Sequence, residues 1–161
     1  MKTIIVLFCL IFSLSLNAQV LDKKDFNESH MNEVLFNSLN GYFLSNGKEI
    51  LIHSSIVEKK IYRFLKKKNK KKSLDDIEGI INHKILKKYD THDFRCVGLL
   101  YKMPIKKAKT YQEVAEKCID EWKDNPSDAF FLNGWGTIVD VTTYYNRQSK
   151  YIFISLAYLP N

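Results

Sequence analysis

The 161-residue chain contains few of the residues that mark linkers and cysteine-stapled folds. It has 3 cysteines, 3 prolines and 6 glycines. It has no internal repeat, no proline-rich linker and no shift in composition that would divide it into two domains. After Leu16 no apolar run reaches the ~20 residues that span a bilayer. These absences predict one globular domain and no transmembrane segment beyond the N-terminal stretch.

Common catalytic and binding signatures are missing as well. The chain has no Gly-x-Ser-x-Gly nucleophile elbow and no phosphate-binding glycine loop. A zinc site needs three or four converging ligands. No two of the histidines have metal-ligand spacing on a helix: His30, His53, His83 and His92. The sequence therefore predicts no metal site, no cofactor and no catalytic residue.

The N-terminus has the layout of a secretory signal peptide. Lys2 gives a positive start, Thr3 to Leu16 are almost all apolar, and Ala18 is a small residue suited to cleavage. We expect residues 1–18 to be removed and residues 19–161 to form a single domain that is secreted or periplasmic. A retained membrane anchor is the alternative.

The chain is basic, with 25 Lys and Arg against 18 Asp and Glu, and loss of Lys2 would lower its formal charge from +7 to +6. Six lysines lie in one run: Lys66, Lys67, Lys68, Lys70, Lys71 and Lys72. Their mutual repulsion predicts a solvated loop, although part of the run could extend the preceding helix. Such a run can bind anionic polysaccharide or lipid by counterion release, or be only a solvated face. It lacks the aromatics and recognition helix expected of a specific nucleic-acid site.

Two cysteines would remain after export. Cys9 lies in the signal segment, which leaves Cys96 and Cys118 in an oxidising compartment. One disulfide between them is an expectation, and two buried free thiols are the alternative. Cys118 lies on the apolar face of a predicted helix, whereas a reactive cysteine needs exposed, electropositive surroundings. A nucleophilic role is therefore not expected.

Helical periodicity predicts four helices. Their predicted N-caps, in chain order, are Asn27 or Ser29, Ser55, Ser73 and Thr110. The first helix should end at Asn46-Gly47 and the last before Pro126. Ile56 is expected to face the core in the second helix. The last helix has the clearest apolar stripe: Tyr111, Val114, Ala115, Cys118, Ile119 and Trp122.

Three strands are predicted toward the C-terminus. They are Arg95–Met103, Gly134–Thr143 and Tyr151–Tyr158, and a polar turn at 144–150 should make the last two an antiparallel hairpin. The first strand should place four residues on one face: Val97, Leu99, Tyr101 and Met103. Helices come first and strands mostly last, which favours an α+β fold over a doubly wound parallel sheet.

Two segments carry a family resemblance. Leu39-Asn40, Asn46-Gly47 and Ile50-Leu51 follow one another near the N-terminus, and later Trp122 precedes Asn125-Pro126-Ser127-Asp128. The order and spacing resemble the CAP superfamily, which comprises cysteine-rich secretory proteins, antigen 5 and pathogenesis-related proteins. Its bacterial branch is the SCP-like extracellular domain. The resemblance implies a three-layer α-β-α sandwich over nearly all of residues 19–161.

The resemblance also implies a degenerate cleft. Family members with an intact cleft hold a divalent metal with two histidines and one or two glutamates. One of those glutamates falls on Leu99 and the C-terminal histidine falls on Asp128, while Phe43 replaces a family arginine. His83 or His92 could stand for the other histidine. The family-cleft equivalents are therefore His83, Leu99 and Asp128, which do not make a metal site.

Three functions remain open on this basis. The leading one is a secreted or envelope-associated, non-enzymatic binding module with a degenerate cleft. The first alternative is a secreted hydrolase with an atypical site near His83 and Asp128. The second is an adhesion or defence protein that binds anionic surfaces through Lys66 to Lys72. The expected partners are an anionic polysaccharide, a lipid or another envelope protein.

Overall fold

The computed structural model describes residues 20–22, 24–47, 55–68, 73–90, 96–133 and 136–160. Over these ranges the protein is of mixed α+β class, as predicted. The elements are α1 Glu28–Ser45, α2 Ser55–Lys68, α3 Leu74–Ile80, β1 Val97–Pro104, α4 Tyr111–Asp124, α5 Pro126–Asn133, β2 Gly136–Asn146 and β3 Tyr151–Pro160. A π-helical segment, Ile81–Leu86, continues α3, and short 3₁₀ turns follow it and β1.

Several features predicted from the sequence lie outside the described residues. They are the signal segment 1–18, Ile50-Leu51, His53, Lys70, Lys71, Lys72 and His92. Within the described ranges, no helix combines the length and apolar character needed to cross a membrane.

Helix boundaries follow the capping residues. The side chains of Asn27, Ser73 and Thr110 each accept a hydrogen bond from the backbone N–H three residues on. Gly47 has a φ of +70° just beyond α1, which suits a residue without Cβ. The apolar stripe predicted for α4 is confirmed, because all six of its residues are buried. Local sequence therefore fixes where these helices begin and which face of α4 is covered.

The prediction for Ile56 is wrong. Its side chain is 62% exposed, while Val57, Ile61 and Leu65 form the buried stripe of α2. Positions four residues apart share a helix face, and Ile56 lies about 100° around the helix from Val57. When two adjacent residues at the start of a helix are both apolar, the sequence does not show which of them belongs to the buried stripe. Packing of the helix against the sheet buries Val57 and leaves Ile56 exposed.

The strands form an antiparallel sheet in the order β1-β3-β2, and β2 and β3 are the predicted hairpin. Alternate strand residues contribute to two apolar clusters. The α1–α4 cluster includes Leu99, Met103, Ile152, Ile154 and Leu156 together with side chains of those two helices. The α2–α3 cluster includes Leu100, Phe153 and Ala157 with side chains of α2 and α3. Val97 and Tyr101 pack against the α1–α4 cluster, so the predicted face of β1 is confirmed.

Two loop assignments need correction. Pro126 does end α4, but it also begins α5, a helix that the sequence did not predict, and Asp128 lies in the first turn of α5. Asn125 Oδ1 accepts from Ser127 N at 3.1 Å, and a proline at the first helical position has no N–H to satisfy. The lysine run is not entirely a loop either, because α2 continues through Lys68.

The expected disulfide is absent. Cys96 and Cys118 are both free and buried. Cys96 belongs to the α2–α3 cluster and Cys118 to the α1–α4 cluster. Successive residues of an extended chain point to opposite sides. The side chain of Cys96 therefore points to the side opposite that of Val97, away from α4. Strand alternation therefore separates the two sulfur atoms.

We expect the chain without residues 1–18 to contain two thiols that react only after unfolding. Burial raises the pKa of Cys96 to about 11 and that of Cys118 well above its ordinary value, so neither has appreciable thiolate at neutral pH. Counting thiols with a chromogenic disulfide reagent, before and after denaturation without reductant, tests this. Cys96→Ala and Cys118→Ala should each lose one thiol. A denatured wild-type chain without reactive thiols would show that the cysteines are bonded.

Candidate functional site

Side chains of α3 and the segment after it cover the outer edge of β1. Three backbone N–H groups of this edge are bonded in turn: Cys96 N donates to Asp90 Oδ1 (2.8 Å), Gly98 N to Asn82 Oδ1 and Leu100 N to Glu78 Oε2 (3.2 Å). Asn82 Nδ2 also donates to Gly98 O at 3.3 Å. Glu78 and Asn82 are four residues apart and so share a helix face. They satisfy an edge that would otherwise offer free N–H groups, and they place a carboxylate beside β1.

A cavity of about 420 Å³ lies next to this edge. Four carboxyl-bearing residues line it, and we call it the acidic cavity: Asp75, Glu78, Glu121 and Asp128. The other lining residues are Leu74, Leu100, Tyr101, Lys102, Met103, Pro104, Lys107, Trp122, Asn125 and Ser127. The walls therefore come from α3, β1, the 3₁₀ turn after β1, the last turn of α4 and the first turn of α5.

Glu78 and Asp128 are electrostatically linked in this cavity. Burial, followed by the negative charge of Asp128, raises the pKa of Glu78 from 4.5 to about 7, although the N–H of Leu100 acts in the opposite direction. Burial also raises the pKa of Asp128; a hydrogen bond from Ser127 opposes this rise and the charge of Glu121 adds to it. Near neutral pH Glu78 therefore gains and loses a proton readily, and its charged form is disfavoured by its surroundings.

The helix junction explains why Asp128 faces the cavity. Trp122 is fully buried in the α1–α4 cluster and fixes the end of α4 against the sheet. Asn125 then caps α5, with Oδ1 accepting from both the backbone N and the Oγ of Ser127. Asp128 consequently lies in the first turn of α5, where the helix dipole favours a carboxylate.

The acidic cavity contains only part of the predicted cleft. Asp128 lines it, but neither His83 nor Leu99 does. Leu99 is buried in the α1–α4 cluster, and His83 is exposed in the π-helical segment. Leu100 N, rather than Leu99, contacts a carboxylate of the cavity.

Glu78 and Glu121 are the residues that sequence reasoning missed. Each is a charged position outside the apolar stripe of its helix, and such a position ordinarily faces solvent. Helical periodicity shows that they do not point into the core, but it cannot show that a strand edge or a second helix end lies beside them. Within the described residues, no group of three or more His, Cys, Asp or Glu side chains could hold a metal ion.

The predicted anion-binding run divides into two parts. Lys66 and Lys67 are exposed in the last turn of α2, and Lys68 ends that helix. Lys70, Lys71 and Lys72 lie outside the described ranges. Lys66 also lines a groove beside β2.

No protein-family model, curated protein or solved structure matches the chain. The CAP resemblance therefore remains a prediction that rests on the quoted residues of the sequence.

Proposed function

We propose that the protein is an exported, non-enzymatic binding module with a CAP-like three-layer α-β-α sandwich, and that the acidic cavity is its ligand site. The N-terminal segment motivates the export. The two apolar clusters support the layered arrangement, since α1 and α4 supply one cluster and α2 and α3 the other. The pairing of Glu78 and Asp128 in a cavity of about 420 Å³ is the observation that carries the ligand site.

A small polar ligand with an ammonium group suits this cavity. Burial and a neighbouring carboxylate, Asp128 for Glu78 and Glu121 for Asp128, raise the pKa of each group and so disfavour its charged form. A cation beside them would stabilise both charges. Hydrogen bonds between an ammonium group and carboxylates are among the stronger ones in proteins. Asn125 and Ser127 add polar groups at the rim for the remainder of the ligand. Binding should therefore release protons near neutral pH, because it lowers the pKa of Glu78.

Putrescine provides a probe for this proposal. Calorimetric titration in two buffers of different ionisation enthalpy should show binding with proton release, and the neutral 1,4-butanediol should not bind. The double variant Glu78→Gln/Asp128→Asn should weaken putrescine binding by at least about tenfold. The matched control Glu116→Gln/Asp124→Asn makes the same chemical changes at exposed positions of α4. Absence of putrescine binding, or an equal loss in the control, would refute the ammonium-binding site.

A hydrolase is the second candidate, and one observation favours it. A carboxyl group with a pKa of about 7 beside another carboxyl suits general acid-base catalysis at neutral pH. In that case the acid-base pair is Glu78 with Asp128 rather than His83 with Asp128. Chromogenic esters and glycosides test it directly. Turnover that disappears in Glu78→Gln but persists in Glu116→Gln would favour the hydrolase over the binding module.

A further inference from the structure

A second groove lies along β2, between α1 and α2. Two adjoining cavities of about 450 and 300 Å³ form it, and they share Glu28, Tyr62 and Lys66. Four cationic side chains line it, and we call it the basic groove: Lys59, Arg63, Lys66 and Arg147. It contains none of the residues of the acidic cavity and needs no part of the function proposed there.

The cations of α2 form a row along one helix face. Lys59 and Arg63 are four residues apart, which is about 6 Å along the helix axis. Arg63 and Lys66 are three residues apart, which is about 4.5 Å. All three are exposed, as is Arg147 in the turn between β2 and β3. Within the described residues, none of the four makes an ion pair. The row thus presents repeated positive charge to solvent.

The acidic side chains of the groove are engaged within the protein. Glu28 Oε1 accepts from the backbone N of Tyr145 at 2.8 Å. Glu58 Oε1 accepts from Asn32 Nδ2 at 3.1 Å. These bonds join α1, α2 and β2, and both carboxylates keep their negative charges. The four cations of the groove outnumber the two carboxylates, so the described lining carries a net positive charge.

Two tyrosines give the groove a flat apolar component. Tyr62 and Tyr144 line it and are half-buried, and their rings meet edge to face with centroids 5.7 Å apart. The C–H faces of sugar rings stack on tyrosine rings, while carboxylate or sulfate groups pair with Lys and Arg. A lipid tail packs on aliphatic side chains, and no Leu, Ile, Val or Phe is among the described residues that line the groove. We infer that the basic groove binds an acidic polysaccharide, a chain of sugars bearing carboxylate or sulfate groups, along α2.

Two variants of equal charge test the inference. The groove variant is Lys59→Gln/Arg63→Gln/Lys66→Gln/Arg147→Gln, and the control is Lys84→Gln/Lys87→Gln/Lys106→Gln/Lys117→Gln, which alters four exposed lysines elsewhere. Affinity for a heparin decasaccharide and for an oligogalacturonate is measured from about 50 to 200 mM salt. The groove variant should lose at least about tenfold in affinity and have a shallower salt dependence. The control should lose less than about threefold, since it keeps the row of cations.

Other probes decide the class of partner. Polyglutamate, an oligothymidylate and phosphatidylglycerol vesicles should each bind more weakly than the two glycans at matched charge. Stronger binding of any one of them would replace the polysaccharide with an acidic peptide, a single-stranded nucleic acid or a membrane. An equal loss of affinity in both four-residue variants would show that binding depends on the net charge of the protein and not on the basic groove. If Lys70→Gln/Lys71→Gln/Lys72→Gln loses affinity and the groove variant does not, the lysine run is the site and the groove is not.

Discussion

Replacing Asp140 with asparagine is expected to stabilise the folded protein at about pH 8 and to leave its stability near pH 4 almost unchanged. Asp140 is fully buried in β2. Burial and, to a lesser extent, the charge of Glu58 raise the pKa of Asp140 from 3.8 to about 7, although hydrogen bonds from Thr142 and the backbone of Val141 oppose the rise. Asparagine has nearly the shape of the protonated side chain and never acquires the buried charge.

The direction of the pH dependence follows from proton binding. Between the two pKa values the folded protein binds more protons than the unfolded chain, so the free energy of unfolding decreases as pH rises through this window. The stability is fully present below about pH 4 and is lost as pH rises through about 7. A pKa raised from 3.8 to about 7 corresponds to about 4 kcal/mol at about pH 8. Hydrogen bonds that the asparagine amide leaves unmade lower this value, so Asp140→Asn should stabilise the protein by about 2–4 kcal/mol at that pH.

Urea unfolding at a series of pH values measures this effect. Asp124→Asn changes an exposed carboxyl of α4 and should leave the pH profile of wild type intact. Some decrease with pH should persist in Asp140→Asn, because the pKa of Glu78 is also about 7 and acts in the same direction. The double variant Glu78→Gln/Asp140→Asn should therefore have the flattest profile. An Asp140→Asn profile identical to wild type would mean that this carboxyl is not charged and buried at high pH.

Gly98→Ala is expected to lower the free energy of unfolding by about 1–3 kcal/mol. A Cβ at this position of β1 would lie 2.9 Å from Leu86 Cδ1, 3.0 Å from Ile81 Cγ2 and 3.1 Å from Asn82 Oδ1. Leu86 and Ile81 are buried and cannot withdraw freely. Asn82 cannot move without weakening the two hydrogen bonds that it makes with Gly98. The glycine is thus required by the close approach of the π-helical segment to the edge of β1.

Gly41→Ala is the matched control for this substitution. Gly41 is in α1, and a Cβ there would meet no atom within 4 Å. Alanine has the higher helix propensity, so this variant should gain about 0.5–1 kcal/mol. Chemical denaturation of both variants under one condition gives the comparison. Equal stability of Gly98→Ala and wild type would show that the segment after α3 does not pack against β1 as described.

The amino-acid sequence determined the features that depend on neighbours along the chain. N-caps at Asn27, Ser73 and Thr110 could be recognised because their bonds reach only three residues. The face of α4 could be recognised because its apolar stripe is continuous, and the hairpin because a polar turn separates two β-rich segments. Strand alternation, applied to Cys96 as it was to Val97 and Leu99, would also have placed the two cysteines in different clusters. The junction Asn125-Pro126 is a signal for the start of a helix as well as for the end of one, because proline suits the first helical position.

Only the tertiary structure decided which polar side chains meet. Glu78 and Asp128 are fifty positions apart, and their pairing depends on how α3 covers β1 and how α5 leaves α4. Asp140 resembles a surface position of a strand until α2, with Glu58, is placed over it. Lys66 was apparent as part of a basic run, but its alignment with Arg147 depends on the packing of α2 against β2. Periodicity states whether a residue faces inward or outward on its own element. The neighbour on the adjoining element sets its burial, its pKa and its function, and the chain acquires those neighbours only by folding.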